Sequence, residues 1–249
     1  MSRKASRPAL NESGEVFRES SENDQPNRNS SGRAVRLLVV LAVLVVLITV
    51  FVARIYAIPS GSMEATLHGC PGCNNDRVLV DKLSYRFSTP APGDIVVFAV
   101  PGNWKNGELP QSPAPSNPIA RSLGAIGAAF GMEPAGQTDF IKRVIAVGGQ
   151  IVSCCDARNR LRVNAEPVDE PFIHFDPEYG KAQQAPFGPV LVPPGQLWVM
   201  GDNRNDSVDS RAPGNGPIPV SSVIGKARWI VLPFGRFRAI DAPAPPADR

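Results

Sequence analysis

Residues 140–147, FIKRVIAV, decide the fold of this chain, and the pair Gly148-Gly149 closes them. Their β-branched and aromatic residues, ended by a glycine turn, are typical of a buried strand. Runs of the same kind predict further strands at 77–82, 94–100, 196–200 and 226–232. Two shorter runs, 151–153 and 161–163, predict a hairpin. The pattern therefore predicts a mainly β domain.

The composition supports a β-rich globular domain. The chain has 249 residues, of which 43% are hydrophobic and 20% are charged, so there is enough apolar material for a core. Its 26 prolines and 22 glycines argue against a helical bundle, because both residue types break helix interiors. A net charge of +3 gives no footprint for nucleic acid, and two histidines are too few for a His-rich metal centre.

Residues 37–53, LLVVLAVLVVLITVFVA, hold a single polar side chain, that of Thr49. As a helix this run would span about 25 Å, and about 30 Å with four more residues, which is the thickness of a bilayer core. We therefore expect a transmembrane anchor over 37–57, with a buried core element as one alternative. A cleaved signal peptide is the other, but the candidate small-x-small sites begin with the large residues Phe51 and Ile55.

The residues before this run predict its orientation. Three basic residues precede the span within the distance that sets topology: Arg28, Arg33 and Arg36. We therefore expect residues 1–36 to be cytoplasmic, and disordered because they carry few large apolar groups. The domain over 58–240 would then lie outside the cytoplasm. The proline-rich end, 241–249, is expected to be disordered.

Four cysteines fit an oxidising compartment. Cys70 and Cys73 form a C-x-x-C motif, and Cys154 and Cys155 are adjacent. An even cysteine count outside the cytoplasm favours disulfides, although the sequence does not choose among the possible pairings. A four-thiolate zinc site and free thiols are the alternatives. Adjacent cysteines rarely both ligate one tetrahedral ion, which argues against zinc.

Two segments between the strands lack a clear strand or helix pattern. Residues 101–138 are rich in glycine and proline and are expected to form a long loop insertion. An apolar patch within it, around 119–132, either touches lipid or packs loosely. Residues 151–197 predict a small subdomain built on the hairpin, and its part from 164 onward is irregular and proline-rich.

Ser62 and Lys142 are candidates for serine–lysine chemistry. Ser62 follows Gly61, which permits a sharp turn, and lies nine residues past Ala53, close to the expected membrane surface. Lys142 lies inside the apolar strand over 140–147, where burial would disfavour its charged form. The resulting neutral amine can accept a serine proton. Taken singly, these two residues also fit an ordinary turn serine and an exposed strand lysine.

A polar segment at 201–211, directly after the strand at 196–200, is the third element. It holds three acids, two arginines, two serines and two asparagines. Such a density of charged and hydrogen-bonding groups indicates a fixed scaffold rather than a solvated loop. Other hydrolase motifs are absent from the sequence, among them G-x-S-x-G, H-E-x-x-H and S-x-x-K.

Together these elements resemble the bacterial type I signal peptidases, which are membrane-anchored serine–lysine endopeptidases. The resemblance spans about residues 37–235. It rests on segments in the family's order, at 58–63 with 66–67, 93–98, 141–144 with 148–149, 200–211 and 225–227. The C-x-x-C motif and the cysteine pair resemble actinobacterial members. The resemblance implies a coiled antiparallel β-sheet catalytic domain on a single N-terminal transmembrane helix, with no metal or organic cofactor.

The resemblance also implies roles for individual residues. Ser62 would be the nucleophile and Lys142 the general base. Ser60 would supply an oxyanion-hole hydroxyl beside the Ser62 N–H, and Ser207 would orient the lysine. Two ion pairs would support the site, Asp202–Arg143 and Asp209–Arg211. Shallow apolar pockets for the substrate would be lined by Tyr56, Ile58, Pro59, Met63, Leu67, Phe140 and Ile141.

The sequence departs from the family at two places. Ala65 stands where the family usually has proline, which would reduce the rigidity of the turn. Asn205-Asp206 stand where the family usually has Asp-Asn, so neither residue receives a role from the resemblance.

We therefore expect a monomeric, membrane-anchored endopeptidase that removes signal peptides at the outer face of the membrane. Its partners would be the lipid bilayer and preproteins with small-x-small cleavage sites. One alternative is a self-cleaving serine–lysine protease of the repressor type, against which the anchor and the lack of a basic DNA-binding domain argue. The other is an anchored binding module in which the serine and lysine are structural.

Overall fold

A computed structural model of the chain describes residues 28–70, 73–102, 104 and 139–240. The chain divides into two compact units, residues 1–43 and residues 44–249. The predictions for 1–27, for most of the loop at 101–138 and for 241–249 lie outside the described residues.

One long helix, α1, covers Arg28–Phe51. Residues 28–36 are thus helical, although we expected the disordered tail to reach Arg36. Once the apolar run forms a helix, each preceding residue adds one backbone hydrogen bond, which extends the helix at little cost. Within the described residues, no helix meets the length and apolarity criteria for crossing a membrane.

The described chain after α1 is mainly β, as the sequence predicts. A short helix, α2 (Ser84–Phe87), lies between the second and third strands. In chain order the strands are β1 (Ala53–Ala57), β2 (Arg77–Asp81), β3 (Ile95–Ala99), β4 (Asp139–Val147), β5 (Ile151–Cys154), β6 (Leu161–Val163), β7 (Glu166–Pro167), β8 (Phe187–Leu191), β9 (Gln196–Met200), β10 (Ile218–Pro219), β11 (Val223–Leu232) and β12 (Arg238–Ala239).

The larger sheet is antiparallel and has the strand order β1-β2-β11-β3-β4-β9-β10, with β12 paired to β11. β4, the strand quoted at the outset, lies in its interior between β3 and β9. Lys142 pairs in register with Val96 of β3, and Arg143 pairs with Met200 of β9. Arg143 also pairs with Ile95 of β3, so the sheet fixes its backbone from two sides, whereas Lys142 is paired on the β3 side.

The smaller sheet has the order β7-β6-β5-β8 and is also antiparallel. It contains the expected hairpin, with Val152 opposite Val163. β8 was missed from sequence because Phe187–Leu191 contains Gly188 and Pro189, which usually interrupt strands. The region after residue 164 is thus more regular than its composition suggests.

β1 corrects the expected end of the anchor. We expected the helix to continue through Ala57, but it ends at Phe51 and Ala53–Ala57 form a strand. All five β1 residues pair with β2, from Ala53 opposite Asp81 to Ala57 opposite Arg77. Tyr56 is buried in the core of the sheet, which stabilises the strand over a longer helix.

Three hydrophobic clusters form the core. One packs the turn that carries Ser62 onto the larger sheet, through Tyr56, Ile58, Met63, Leu67, Val78, Val80, Ile95, Val97, Ala227 and Ile230. The second lies on β3, β4 and β9 and includes Phe98, Trp104 and Val144. The third joins the two sheets, since it combines Trp198 and Met200 of β9 with Val152 and Leu161 of the smaller sheet.

Candidate active site

The Ser62 turn is a short 3-10 helix, Gly61–Met63, that follows β1. Met63 and Leu67 anchor it in the core, with no exposed surface. Gly201 allows the polar segment to approach the turn closely, because a side chain there would overlap Ser207 Oγ and the Ser62 carbonyl oxygen. The polar segment therefore contacts the Ser62 turn at a residue that has no side chain.

Lys142 of β4 contacts Ser62 in this turn. The Lys142 Nζ donates a hydrogen bond of 2.7 Å to Ser62 Oγ, although the two residues lie 80 positions apart in the chain. The exposed fraction is 4% for Lys142 and 9% for Ser62. Burial lowers the pKa of Lys142 from 10.5 to about 8, against the opposing influence of Asp209 and Asp202. A neutral amine is thus available to the serine near neutral pH.

Two potential hydrogen-bond donors lie beside Ser62 Oγ. Ser60 Oγ lies 3.4 Å from Ser62 Oγ. The backbone N–H of Ser62 donates to no atom of the described chain, while the carbonyl oxygen of Gly61 accepts from Glu64 N at 3.0 Å. A hydroxyl and a free N–H beside a nucleophilic oxygen are the groups that can bind an oxyanion.

Both ion pairs expected around the site are present. Arg143 donates two hydrogen bonds to Asp202, with Nε at 2.8 Å and Nη2 at 2.6 Å, and both side chains are fully buried. Thr66 donates to the same carboxylate at 2.5 Å, so this pair ties β4, the Ser62 turn and the polar segment together. Arg211 likewise makes a bidentate pair with Asp209.

Asp209 acts on the backbone as well. Its carboxylate accepts from Gly201 N at 2.9 Å and from Arg211 N at 3.1 Å. Although Asp209 is buried, these donors and the Arg211 guanidinium hold its pKa below the usual value. The carboxylate therefore stays ionised and fixes the polar segment where it passes the Ser62 turn.

A third buried pair was not expected from the sequence. Arg204 pairs with Glu170 through two hydrogen bonds, and its Nη1 also donates to Gln184 Oε1 at 2.6 Å. Phe172 packs between the arginines, with the Arg143 guanidinium 3.9 Å from its ring centroid. Glu170, Phe172 and Gln184 come from the irregular stretch of the smaller subdomain and have no local spacing that marks them.

Ser207 lies beside the site but does not make the expected contact with Lys142. Its buried Oγ has no hydrogen-bond partner in the described chain and packs against Gly201. The Lys142 hydrogen bond goes to Ser62 instead. Ser207 therefore supports the site through packing in this conformation.

The side chains of Asn205 and Asp206 lie in different environments. The Asn205 side chain clamps the backbone of Asp176, accepting from its N–H and donating to its carbonyl, both at 2.8 Å. The Asp206 carboxylate faces Gly61 and accepts no hydrogen bond from the described chain. Partial burial, followed by repulsion from Asp176, raises the pKa of Asp206.

The expected substrate-pocket residues fall into two groups. Met63 and Leu67 have no exposed surface, and Tyr56 and Ile58 have almost none, because all four pack in the first core cluster. They support the site from below and present no open wall to a ligand. The partly exposed residues among those expected are Pro59, Phe140 and Ile141.

The cysteines form two local disulfides, Cys70–Cys73 and Cys154–Cys155. The first lies just after the Ser62 turn, where His68 also approaches both sulfur atoms. Since both sulfurs are bonded to each other, they are not thiolates that could bind zinc. His68 instead pairs with Glu64 at 2.5 Å.

Comparisons with known proteins place the chain in a family. A family model described as Signal peptidase, peptidase S26, matches residues 31–232. Signal peptidase I of Mycobacterium tuberculosis (strain ATCC 25618 / H37Rv) is 42% identical over 97% of this chain and 86% of its own length. A probable signal peptidase I of Mycobacterium leprae is 42% identical over 87% of this chain and 81% of its own length. Signal peptidase I of Leptolyngbya laminosa is 32% identical over 81% of this chain and 79% of its own length.

We predict that Asp202→Asn strongly destabilises the fold, because it leaves the buried Arg143 guanidinium without an anionic partner. The free energy of unfolding should fall by about 3–5 kcal/mol. Urea denaturation of the purified protein measures this loss.

The control for this prediction is Arg228→Gln, which breaks a 3.5 Å pair with Asp81 whose side chains are 45% and 31% exposed. It should cost about 1 kcal/mol or less. Equal losses in the two variants would contradict the assignment of Asp202 as a buried structural anion.

Proposed function

Because the chain belongs to the signal peptidase family, peptidase S26, we propose that it is a serine endopeptidase that removes N-terminal signal peptides from exported preproteins. The observation that carries the proposal is the buried 2.7 Å contact between Lys142 Nζ and Ser62 Oγ. No metal or organic cofactor enters the proposed chemistry.

The proposed reaction begins with proton transfer from Ser62 to the neutral amine of Lys142. As the proton leaves, Ser62 Oγ attacks the carbonyl carbon of the cleaved bond, and the oxyanion that forms accepts from Ser60 Oγ and Ser62 N–H. Lys142 then returns the proton to the leaving nitrogen, which departs as the new N-terminus. Water, deprotonated by Lys142, hydrolyses the acyl-enzyme and restores the Ser62 hydroxyl.

The ion pairs fit this cycle because they hold the reacting groups in place without keeping Lys142 protonated. Asp202 and Asp209 favour the lysine ammonium, but each carboxylate is bound to its own arginine, which limits that effect. Burial therefore remains the dominant influence on Lys142, and its pKa stays near 8. Such a base is partly neutral at physiological pH and strong enough to accept the serine proton.

Substrate recognition is proposed at the start of β4. An extended substrate could pair with backbone there, as peptides commonly do with strands. Phe140 and Ile141 retain exposed surface close to Lys142, so they are the candidates for apolar contact with small residues before the cleaved bond. The deeper residues Tyr56, Ile58, Met63 and Leu67 would set the depth of such pockets from beneath.

We further propose that the run over 37–53 anchors the protein in the membrane, with the N-terminus cytoplasmic and the peptidase domain outside. The proposal rests on the uninterrupted apolar sequence and on the arginines that precede it. Leu37 is 70% exposed and Val40 is 64% exposed, so this helix carries apolar surface that a lipid environment would cover. An anchor beside the substrate's own apolar segment would raise the effective concentration of the cleavage site.

We expect Ser62→Ala and Lys142→Ala to abolish cleavage of a preprotein, since one removes the nucleophile and the other the base. Gel-based cleavage of a purified preprotein measures the loss, and circular dichroism checks the fold. His174→Ala should retain activity, because the described hydrogen bonds of His174 use only its backbone. Loss of activity in His174→Ala with retention in Lys142→Ala would refute the serine–lysine mechanism.

The pH dependence follows from the lowered pKa of Lys142, which is about 8. Only the neutral amine accepts the serine proton, so kcat/KM should rise with pH and level off above about 8. A series of initial rates between pH 6 and 10, at low substrate concentration, would give this profile. A rate that still rises steeply at pH 10, as expected if the pKa lay near the ordinary lysine value of about 10.4, would show that burial does not lower the pKa of Lys142.

The topology can be tested with protease added to intact spheroplasts. The protease should digest the 58–240 domain and leave the N-terminal tail intact, as detected with an epitope tag at each end. N-terminal sequencing should find the original N-terminus. A protected domain, or a chain that begins after residue 53 or 57, would overturn the proposed location.

A further inference from the structure

We propose that Asn203 is a positioning residue that aims the backbone N–H of Ser62 into the oxyanion hole. This inference rests on the proposed function and adds a residue to which neither the sequence motifs nor the family resemblance gives a role. It is carried by the hydrogen bonds that Asn203 makes to the two peptide groups flanking Ser62.

The side chain of Asn203 holds the peptide before Ser62. Its Nδ2 donates to the carbonyl oxygen of Gly61 at 3.1 Å, across 142 positions of the chain. A trans peptide is planar, and its C=O and N–H point in opposite directions. A donor that fixes the Gly61 carbonyl therefore also fixes the direction of the Ser62 N–H.

The backbone of Asn203 holds the peptide after Ser62. Asn203 N donates to the carbonyl oxygen of Ser62 at 3.2 Å, and a parallel bridge to His174 secures the Asn203 backbone in turn. The nucleophile is thus bracketed on both sides by one residue of the polar segment. The remaining bond to the Gly61 carbonyl comes from Glu64 N within the same turn, which cannot fix the turn relative to Lys142.

The Oδ1 atom of Asn203 indicates that the Nδ2 donor is the functional group of this side chain. Asn203 is 1% exposed, and its Oδ1 has no hydrogen-bond partner in the described chain. A buried, unpaired acceptor destabilises a fold, so a residue kept only for stability would satisfy both ends of its amide. The hydrogen bond from Nδ2 to the Gly61 carbonyl explains why an asparagine stands at position 203.

The test compares Asn203→Ala and the near-isosteric, uncharged Asn203→Leu, both of which lose the Nδ2 donor, with wild type. We expect kcat to fall roughly 10-fold to 100-fold, less than the effect of deleting an oxyanion donor outright, and KM to stay within about 2-fold. The melting temperature should remain close to wild type, because the substitution to alanine also removes the unpaired Oδ1. Asn205→Ala is the matched control, since it removes an asparagine–carbonyl bond to Asp176 in the same segment and should leave kcat unchanged.

A peptide aldehyde provides a second measurement. Its adduct with Ser62 places an oxygen in the oxyanion position, so its inhibition constant should rise in Asn203→Ala by about the factor by which kcat/KM falls. A peptide that binds without forming an adduct should keep its affinity. A merely structural role would weaken both ligands together.

Two outcomes would overturn the inference while leaving the proposed function intact. In one, wild type cleaves the preprotein and both Asn203 variants cleave it with unchanged kcat. In the other, both variants lose activity only in proportion to a loss of folded protein, which would assign Asn203 to folding. A wild type that does not cleave preproteins, or a Ser62→Ala variant that still does, would overturn the proposed function and this inference with it.

Discussion

A lysine amine enclosed by the fold is the constraint on which the rest of the structure depends. Lys142 lies in the interior of the larger sheet with 4% of its surface exposed, and its pKa falls from 10.5 to about 8. The unfolded chain binds this proton more tightly than the folded chain does. The folded state is therefore penalised below pH 8, and the penalty disappears as the pH rises from 8 to 10.5. Strand pairing on both sides of β4 must offset it.

The arrangement of the surrounding charges protects this low pKa. Three carboxylates are buried near the site, and each is bound to an arginine: Asp202 to Arg143, Glu170 to Arg204 and Asp209 to Arg211. A matched pair acts on a third group as a dipole, whose influence falls off faster with distance than that of a single charge. The pairs thus connect distant segments without converting Lys142 into a permanent ammonium. An unpaired buried acid at the same distance would have done so.

Local pattern explains which features the sequence could predict. Short stretches of sequence carry the signals for the β-branched strands and for the segments around Ser62, Lys142 and 201–211. These features were therefore recognisable from residue type and periodicity. The Arg204–Glu170 pair joins residues 34 positions apart, and the Asn203–Gly61 contact spans 142, so neither leaves a periodic signal. β1 was hidden because it continues the apolar run of the helix. Only its pairing with β2 decides that it is extended.

The site also concentrates groups that a purely stable fold would avoid. Among the described residues four buried side-chain polar atoms lack a partner, and two of them, Asn203 Oδ1 and Ser207 Oγ, adjoin the Ser62 turn. Each such atom costs about 1–3 kcal/mol, and the buried lysine adds to that cost. A segment with these features would relax if its neighbours allowed it. The buried arginine pairs and the packed clusters beneath Met63 and Leu67 prevent that relaxation. The stability of the surrounding frame is therefore what permits a reactive centre with unpaired polar groups to persist.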